Sequence, residues 1–293
     1  MATPDSSRQL TGVTAAQLSP TDVRFVNERD QIMLAGQLFL PPTPGPHPAA
    51  AIINGSGASH RTNSWYLTLT DHLVDSGYAV LWPDKRGSGA SEGRWETASF
   101  EALARDATAS LDFLRSHPKI DPDRIGVIGM SQGGRIAAIV AADNDDIAYG
   151  VSFSGGVLPA YRSLRYEETH NLREIGFLPG VSELIAPVSS WAIINVAQTE
   201  FWDAVGNFDP LPYWAKVDIP VLFQFGTDDT NVDTATSAAR LTSLQQSNIH
   251  IQTYRGSGHA IEQPPDQGDE IIRPEALNDL TRFIDQATRS LSS

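Results

Sequence analysis

The chain has 293 residues, of which 35 are acidic and 21 basic, and its formal net charge is −14. Such a surface repels phosphate backbones and anionic headgroups, so we expect no nucleic-acid partner and no binding to a membrane surface. The sequence contains no cysteine, which excludes disulfides, thiolate nucleophiles and cysteine-ligated metal sites.

The N-terminal residues 1–20 are rich in Ser, Thr, Ala and Pro and are predicted to form a flexible tail. They lack the basic stretch and apolar run of a signal peptide. No segment approaches the roughly 20 apolar residues that span a bilayer. We therefore expect a protein without a membrane span. The absence of cysteine fits a cytoplasmic location, and export of a cysteine-free protein is the alternative.

Apolar runs and helical spacings alternate along most of the chain. Two β-favouring stretches within 22–40 predict an antiparallel pair, because a polar break separates them. After that pair, predicted strands cover 49–53, 78–82, 124–128, 147–153, 220–225 and 250–254. Predicted helices cover 65–76, 100–116, 131–142, 233–246 and 275–291. Strands alternating with helices indicate an α/β fold with a mostly parallel sheet.

The alternation fails for about fifty residues after Pro159, where no clear strand can be found. We interpret 160–215 as an inserted helical cap. The two flanking segments, 21–159 and 216–293, then form one core domain.

The clearest chemical signal is Gly129-Met130-Ser131-Gln132-Gly133, a G-x-S-x-G between a buried strand and an Ala/Ile-rich helix. A tight strand-to-helix turn strains the serine backbone and exposes its hydroxyl, and the flanking glycines avoid collisions with neighbouring elements. Ser131 is therefore the candidate nucleophile.

A serine nucleophile needs a base and an acid, and both have candidates after later strands. Asp229 follows the strand that ends at Gly226, and His259 follows the next one. The order Ser, Asp, His is that of the hydrolase fold. Asp228 is the alternative acid and Asp233 a more distant one, whereas His60 is the competing histidine and fits a substrate contact better.

The tetrahedral oxyanion needs hydrogen-bond donors. The candidates are the backbone N–H groups of Gln132, at the start of the nucleophile helix, and of Ser56, in the loop 54–57.

These motifs, together with the Asp84-Lys-Arg-Gly-Ser-Gly-Ala-Ser-Glu-Gly93 loop, resemble the α/β-hydrolase superfamily and in particular its dienelactone-hydrolase-like and carboxylesterase branch. The resemblance covers roughly 23–291 except the cap. It implies the α/β-hydrolase fold, with an eight-stranded, mainly parallel sheet flanked by helices and an inserted helical cap. It also gives the Asp84–Gly93 loop a structural role beside the site, and Asn54 stands where relatives often have histidine.

Substrate contacts are expected from Gly55, Gly57, His60 and Trp202. The cap aromatics form either an acyl-binding wall or the cap's own core: Trp191, Phe201, Trp202, Phe208, Tyr213 and Trp214. No cofactor is expected. No metal is expected either, because the acidic clusters at 121–123 and 143–146 lack the ligand pattern of a calcium loop.

The expected function is hydrolysis of small-molecule carboxylic esters through an acyl-enzyme intermediate. Alternatives with the same triad are an acyl-peptidase or amidase, an acyltransferase, and a cofactor-free lyase or haloperoxidase-like enzyme. A non-catalytic ligand receptor is a further alternative, because fold alone does not prove function. Homo-oligomer formation is left open.

Overall fold

The computed structural model of the chain describes residues 18–289. The predicted flexible tail, 1–20, lies almost entirely outside these residues. Within them, eight strands form one sheet in the order β1-β2-β4-β3-β5-β6-β7-β8. The strands are β1 (Thr21–Asn27), β2 (Ile32–Phe39), β3 (His47–Ile53), β4 (Ala79–Pro83), β5 (Ile120–Met130), β6 (Tyr149–Phe153), β7 (Val221–Gly226) and β8 (Ile249–Tyr254).

The sheet is antiparallel only at one edge. β1 pairs antiparallel with β2 and β2 with β4, while β4 through β8 pair in parallel. Parallel neighbours require crossover connections, which the helices supply. The expected eight-stranded, mainly parallel sheet is confirmed.

Helices cover both faces of the sheet and bury it. They are α1 (Ser64–Asp75), α2 (Phe100–Ser116), α3 (Gln132–Asp143), α8 (Thr234–Thr242) and α9 (Pro274–Arg289). In β3, Ala51 and Ile53 point toward the core that contains α2 and α3, whereas Ile52 points toward the core that contains α1 and α9. This alternation explains why the strand is apolar at every position.

The largest differences from the predicted bounds are in β5 and α8. β5 begins at Ile120 rather than 124, because its first residues pair irregularly with β3: His47 opposes Ile120 but Ala49 already opposes Ile125. α8 ends at Thr242 rather than 246, and Gln245 adopts a positive φ of 54° that stops the helix.

Between β6 and β7 the chain is helical. This segment contains α4 (Ala160–Glu174), α5 (Val181–Ala192), a π-helical turn (Ile193–Ala197), α6 (Thr199–Val205) and α7 (Leu211–Trp214). We call residues 160–215 the cap. None of the helices in the described part of the chain is long and apolar enough to cross a membrane.

Gly133 sits where the start of α3 crosses the end of β3. A Cβ at this position would lie 2.1 Å from the carbonyl oxygen of Ile53. Backbone atoms cannot give way to such a contact, so we expect Gly133→Ala to lower the free energy of unfolding by about 2 kcal/mol or more. Chemical denaturation measures the loss.

Gly150→Ala in β6 is the matched control, because its added methyl meets nothing nearer than 3.7 Å. If Gly133→Ala were as stable as Gly150→Ala, the close approach of α3 to β3 would be wrong.

Candidate active site

Ser131 occupies the turn between β5 and α3. Its backbone has φ 53° and ψ −117°, a conformation that residues other than glycine rarely adopt. Two hydrogen bonds hold the turn: the Ser131 N–H donates to the Phe153 carbonyl at 2.8 Å, and the Gly134 N–H donates to the Ser131 carbonyl at 2.9 Å. The strained turn presents the serine hydroxyl to the cavity.

Three side chains from separate loops form a hydrogen-bonded chain. Ser131 Oγ lies 2.9 Å from Nε2 of His259, and Nδ1 of His259 lies 2.8 Å from Oδ2 of Asp229. A carboxylate can only accept, so the ring proton sits on Nδ1 and Nε2 is free to accept from the serine. This arrangement can remove the hydroxyl proton from Ser131.

The carboxylate of Asp229 is fully buried and held from its other side. Its Oδ1 accepts from the backbone N–H groups of Asn231 at 2.8 Å and Val232 at 2.9 Å. Asp228 is exposed and accepts from the Thr227 hydroxyl, and Asp233 caps α8 by accepting from the Thr236 N–H. Of the three candidate acids, Asp229 is the one that contacts His259.

Opposing effects act on the His259 imidazole. Burial favours its neutral form, but the carboxylates of Asp229, Glu167 and Glu262 together favour the cation more strongly, and the pKa of His259 is raised above its usual value. The indole of Trp65 lies beside the ring at a centroid distance of 5.6 Å and donates to the Ala260 carbonyl. The ring is thereby packed in place.

The backbone N–H groups of Ser56 and Gln132, the predicted oxyanion donors, have no acceptor within residues 18–289. The neighbouring Gly55 N–H is already used, because it donates to the Tyr66 hydroxyl at 2.8 Å. Gly55 lies close to the nucleophile, since a Cβ built on it would be 3.4 Å from Cβ of Ser131. The site therefore offers free donors on both sides of the serine.

Lys85 joins these two donor segments. Its buried ammonium donates to the Gly55 carbonyl and, at 3.1 Å, to the side-chain oxygen of Gln132. The indole of Trp95 covers it at 5.7 Å. Burial without a carboxylate partner lowers the pKa of Lys85 to about 7.

The loop that carries Lys85 is itself cross-linked. Arg61 donates twice to Asp84, and Asp84 also accepts from the Ala90 N–H. Asn54, in the place of the histidine of many relatives, accepts from the Trp82 indole and donates to the Pro83 carbonyl. These contacts fit the structural role predicted for the Asp84–Gly93 loop.

A cavity of about 200 Å³ opens over Ser131, between the core and the cap. Of the predicted substrate-contact residues, Gly57 and Trp202 line it, and so does Ser56. Gly55 lies behind this lining. His60 is exposed and does not line the cavity, because the chain turns away there toward α1. His60 is therefore not among the residues that surround the space above Ser131.

The six cap aromatics divide between the two proposed roles. Phe201 and Trp202 line the cavity. Phe208, Tyr213 and Trp214 pack inward, with Trp214 against Phe223 at 4.9 Å. Trp191 does neither, since 59% of it is exposed.

Comparison of the sequence with known protein families identifies two matches. Residues 108–266, more than half of the chain, match the family described as BAAT / Acyl-CoA thioester hydrolase C terminal. The chain belongs to this family. It is an α/β-hydrolase, as the sequence motifs imply. Residues 30–175 also match the X-Pro dipeptidyl-peptidase (S15) family.

Individual proteins of known sequence or structure are also similar to this α/β-hydrolase over most of its length. The peroxisomal succinyl-coenzyme A thioesterase of Mus musculus is 27% identical over 89% of the chain, which spans 60% of that protein. The uncharacterized peptidase YtmA of Bacillus subtilis is 27% identical, and the match covers 69% of this chain and 71% of YtmA. The esterase Pf2001 of Pyrococcus furiosus has the same fold, with a TM-score of 0.68, 20% identity and coverage of 95% and 96%.

Sequence reasoning missed four charged residues at or beside this α/β-hydrolase site: Lys85, Arg135, Glu167 and Glu168. Arg135 could have been noticed as the single charge in the apolar start of α3, four residues after Ser131. Lys85 lies within a loop to which only a structural role was assigned, and Glu167 and Glu168 lie in a cap without a readable motif, so these three gave no signal.

Proposed function

We propose that the chain is a serine hydrolase that cleaves carboxylic esters through an acyl-enzyme. The observation that carries this proposal is the hydrogen-bonded chain from Ser131 through His259 to Asp229 at the cavity floor. Three polar side chains from separate loops, aligned in this way beside unpaired N–H donors, have the geometry of nucleophilic catalysis.

In the proposed reaction, Ser131 Oγ attacks the ester carbonyl while His259 Nε2 takes its proton. Asp229 stabilises the imidazolium that forms. The N–H groups of Ser56 and Gln132 bind the oxyanion, and each such donor contributes about 3 kcal/mol of transition-state stabilisation. His259 then protonates the leaving alcohol, and water repeats the sequence to release the acid.

Thioester hydrolysis is the second candidate, because the family match and the mouse relative are both described by acyl-CoA thioesters. The same groups would attack a thioester carbonyl. The charge of the chain opposes this substrate, since coenzyme A carries several phosphates and the protein has a net charge of −14.

A substrate panel tests the proposal. p-Nitrophenyl esters of increasing acyl length are compared with the corresponding acyl-CoA thioesters, and a fluorophosphonate probe is mapped by mass spectrometry. We expect ester turnover above thioester turnover and one adduct, on Ser131. Faster turnover of the thioesters would favour the second candidate. Neither turnover nor an adduct would favour a non-catalytic receptor.

The pH dependence follows from the proposed base. His259 must be neutral to accept a proton, and its pKa is raised. Activity on an uncharged ester should therefore be lost as the pH falls through a value above 6.5, the ordinary histidine pKa. The pH profile of kcat/KM measures it. Lys85→Met should retain this limb, and a limb below 6.5 would contradict the role of Asp229.

Lys85 is proposed to position the oxyanion donors. Lys85→Met keeps the apolar stem but loses both hydrogen bonds, so Gly55 and Gln132 are no longer joined. We expect kcat to fall about 10- to 100-fold with little change in KM. This loss is smaller than the roughly 100- to 1000-fold loss of kcat on complete removal of an oxyanion donor, because the donors remain but are less well positioned. Lys119→Met, an exposed lysine, should leave both unchanged. A change in KM alone would contradict the positioning role.

A further inference from the structure

The cavity above Ser131 is lined by more acidic than basic side chains. Among the described residues that line it, the acidic and basic side chains besides His259 are Arg135, Glu167 and Glu168, which leaves one net negative charge when both carboxylates are ionised and His259 is neutral. Arg135 is buried and already engaged, donating to the Leu158 carbonyl at 2.7 Å and to Ser163. Its charge offsets one of the two carboxylates.

The two glutamates differ in their partners. Glu168 accepts from the Asn171 amide at 3.0 Å and from the Ser189 hydroxyl, both within the cap. Glu167 has no hydrogen bond or ion pair with any residue in 18–289. Burial raises its pKa, and the nearby His259 and Arg135 oppose that effect. A half-buried carboxylate without a partner can bind a cation supplied by the substrate.

Aromatic rings complete the same cavity: Phe100, Phe201 and Trp202. Trp95 also lines it, but the ammonium of Lys85 already lies over its indole. The faces of such rings attract organic ammonium groups, and an ammonium that also meets a carboxylate keeps a counter-charge when it leaves water. Together with the net charge of −14, which attracts cations, this lining favours a positively charged substrate.

We propose that the cavity binds an ester that carries an organic ammonium group, and that Glu167 and the aromatic rings of the cavity hold that group. This inference names the substrate class of the proposed hydrolase and rests on that function. It also predicts discrimination against the anionic coenzyme A portion of a thioester.

Binding rather than turnover tests it, so that the result does not depend on catalysis. Acetylcholine and its uncharged isostere 3,3-dimethylbutyl acetate are titrated calorimetrically into the Ser131→Ala protein, which keeps the ester intact. We expect acetylcholine to bind about tenfold more tightly. Adding Glu167→Gln should reduce this preference several-fold and leave the part that the aromatic rings supply.

Glu174→Gln is the matched control, because it removes the same charge from an exposed position of the same helix, α4. It should leave the preference unchanged. Equal affinities for the two esters, or a preference that Glu167→Gln leaves undiminished, would overturn the inference. Failure of the hydrolase itself is seen separately, as the absence of both ester turnover and fluorophosphonate labelling in the unaltered protein.

A second, independent observation concerns the outer surface of the cap. Eight of the ten exposed large hydrophobic side chains among residues 18–289 lie between 175 and 196. We call this set the apolar cap face: Ile175, Phe177, Leu178, Val181, Leu184, Val188, Trp191 and Val196. Four of them, spaced 3, 4 and 3 residues apart along α5, form one helical stripe.

We infer that the apolar cap face pairs with a second copy of this chain. Eight side chains exposed by 38–78% present apolar surface on the order of 800 Å², which is what one partner contributes to a standard interface. Residues 175–198 contain a single charged residue, Glu183, and it is paired with Arg173. Two copies of charge −14 can therefore meet here with little repulsion, and a two-fold axis lets each stripe pack on the other.

Sedimentation equilibrium tests the pairing. We expect the unaltered protein to be a dimer and Leu184→Asp/Val188→Asp to be a monomer with the same circular dichroism. Tyr161→Asp is the control. It adds a negative charge at an exposed position near the N-terminus of α4, whereas the apolar cap face begins just after the C-terminus of that helix. A monomeric unaltered protein overturns the inference, whether it stays free in solution or binds phosphatidylcholine vesicles through this face.

Discussion

Ser131→Ala should lower kcat for ester hydrolysis by about 10⁴- to 10⁶-fold and abolish labelling by a fluorophosphonate. The hydroxyl is the atom that would form the acyl bond, and loss of a nucleophile removes nearly everything that the triad contributes. Within the described residues, the Ser131 hydroxyl hydrogen-bonds to His259 alone. Its removal costs the fold one hydrogen bond, so the variant should fold normally. Steady-state kinetics, intact-mass spectrometry and thermal unfolding provide the three readouts.

Ser154→Ala is a matched control for this variant. Ser154 also has a positive φ, 54°, and it is buried at the end of β6, where its hydroxyl finds no partner in the described chain. It does not line the cavity. Ser154→Ala should keep full activity and labelling. Turnover well above background in Ser131→Ala would refute the acyl-enzyme mechanism.

The sequence predicts the parts of this molecule that depend on local constraints. A strand buried on both faces must be apolar throughout. A strand-to-helix turn this tight requires small neighbours, because a Cβ added to Gly133 would lie only 2.1 Å from the Ile53 carbonyl oxygen. Asp229 and His259 could be located because both follow parallel strands, whose carboxyl ends share one edge of the sheet. Their catalytic roles stay predictions.

The remaining features depend on contacts between distant segments. Lys85 meets partners 30 and 47 residues away, and Glu167 reaches the cavity from a cap whose helices follow no motif. His60 illustrates the opposite limit. It is near the Ser56 loop in sequence, yet it is exposed and does not line the cavity. Proximity along the chain cannot report which way a loop turns.

Asp229→Asn should lower kcat/KM by about 10⁴-fold, because the amide can donate to His259 and so favour the tautomer whose Nε2 carries the proton. That tautomer cannot accept from Ser131. The asparagine oxygen can still accept from Asn231 and Val232, so the loop should keep its shape. Kinetics on an uncharged ester, above the pH at which His259 titrates, measure the loss.

Asp228→Asn makes the same chemical change one residue earlier, at an exposed carboxylate bonded to Thr227. It should change kcat/KM by less than about threefold, as surface substitutions generally do. The two variants together separate the candidate acids, because each removes one carboxylate charge from the same loop. A larger loss in Asp228→Asn than in Asp229→Asn would mean that the loop rearranges during catalysis and that Asp228 is the acid.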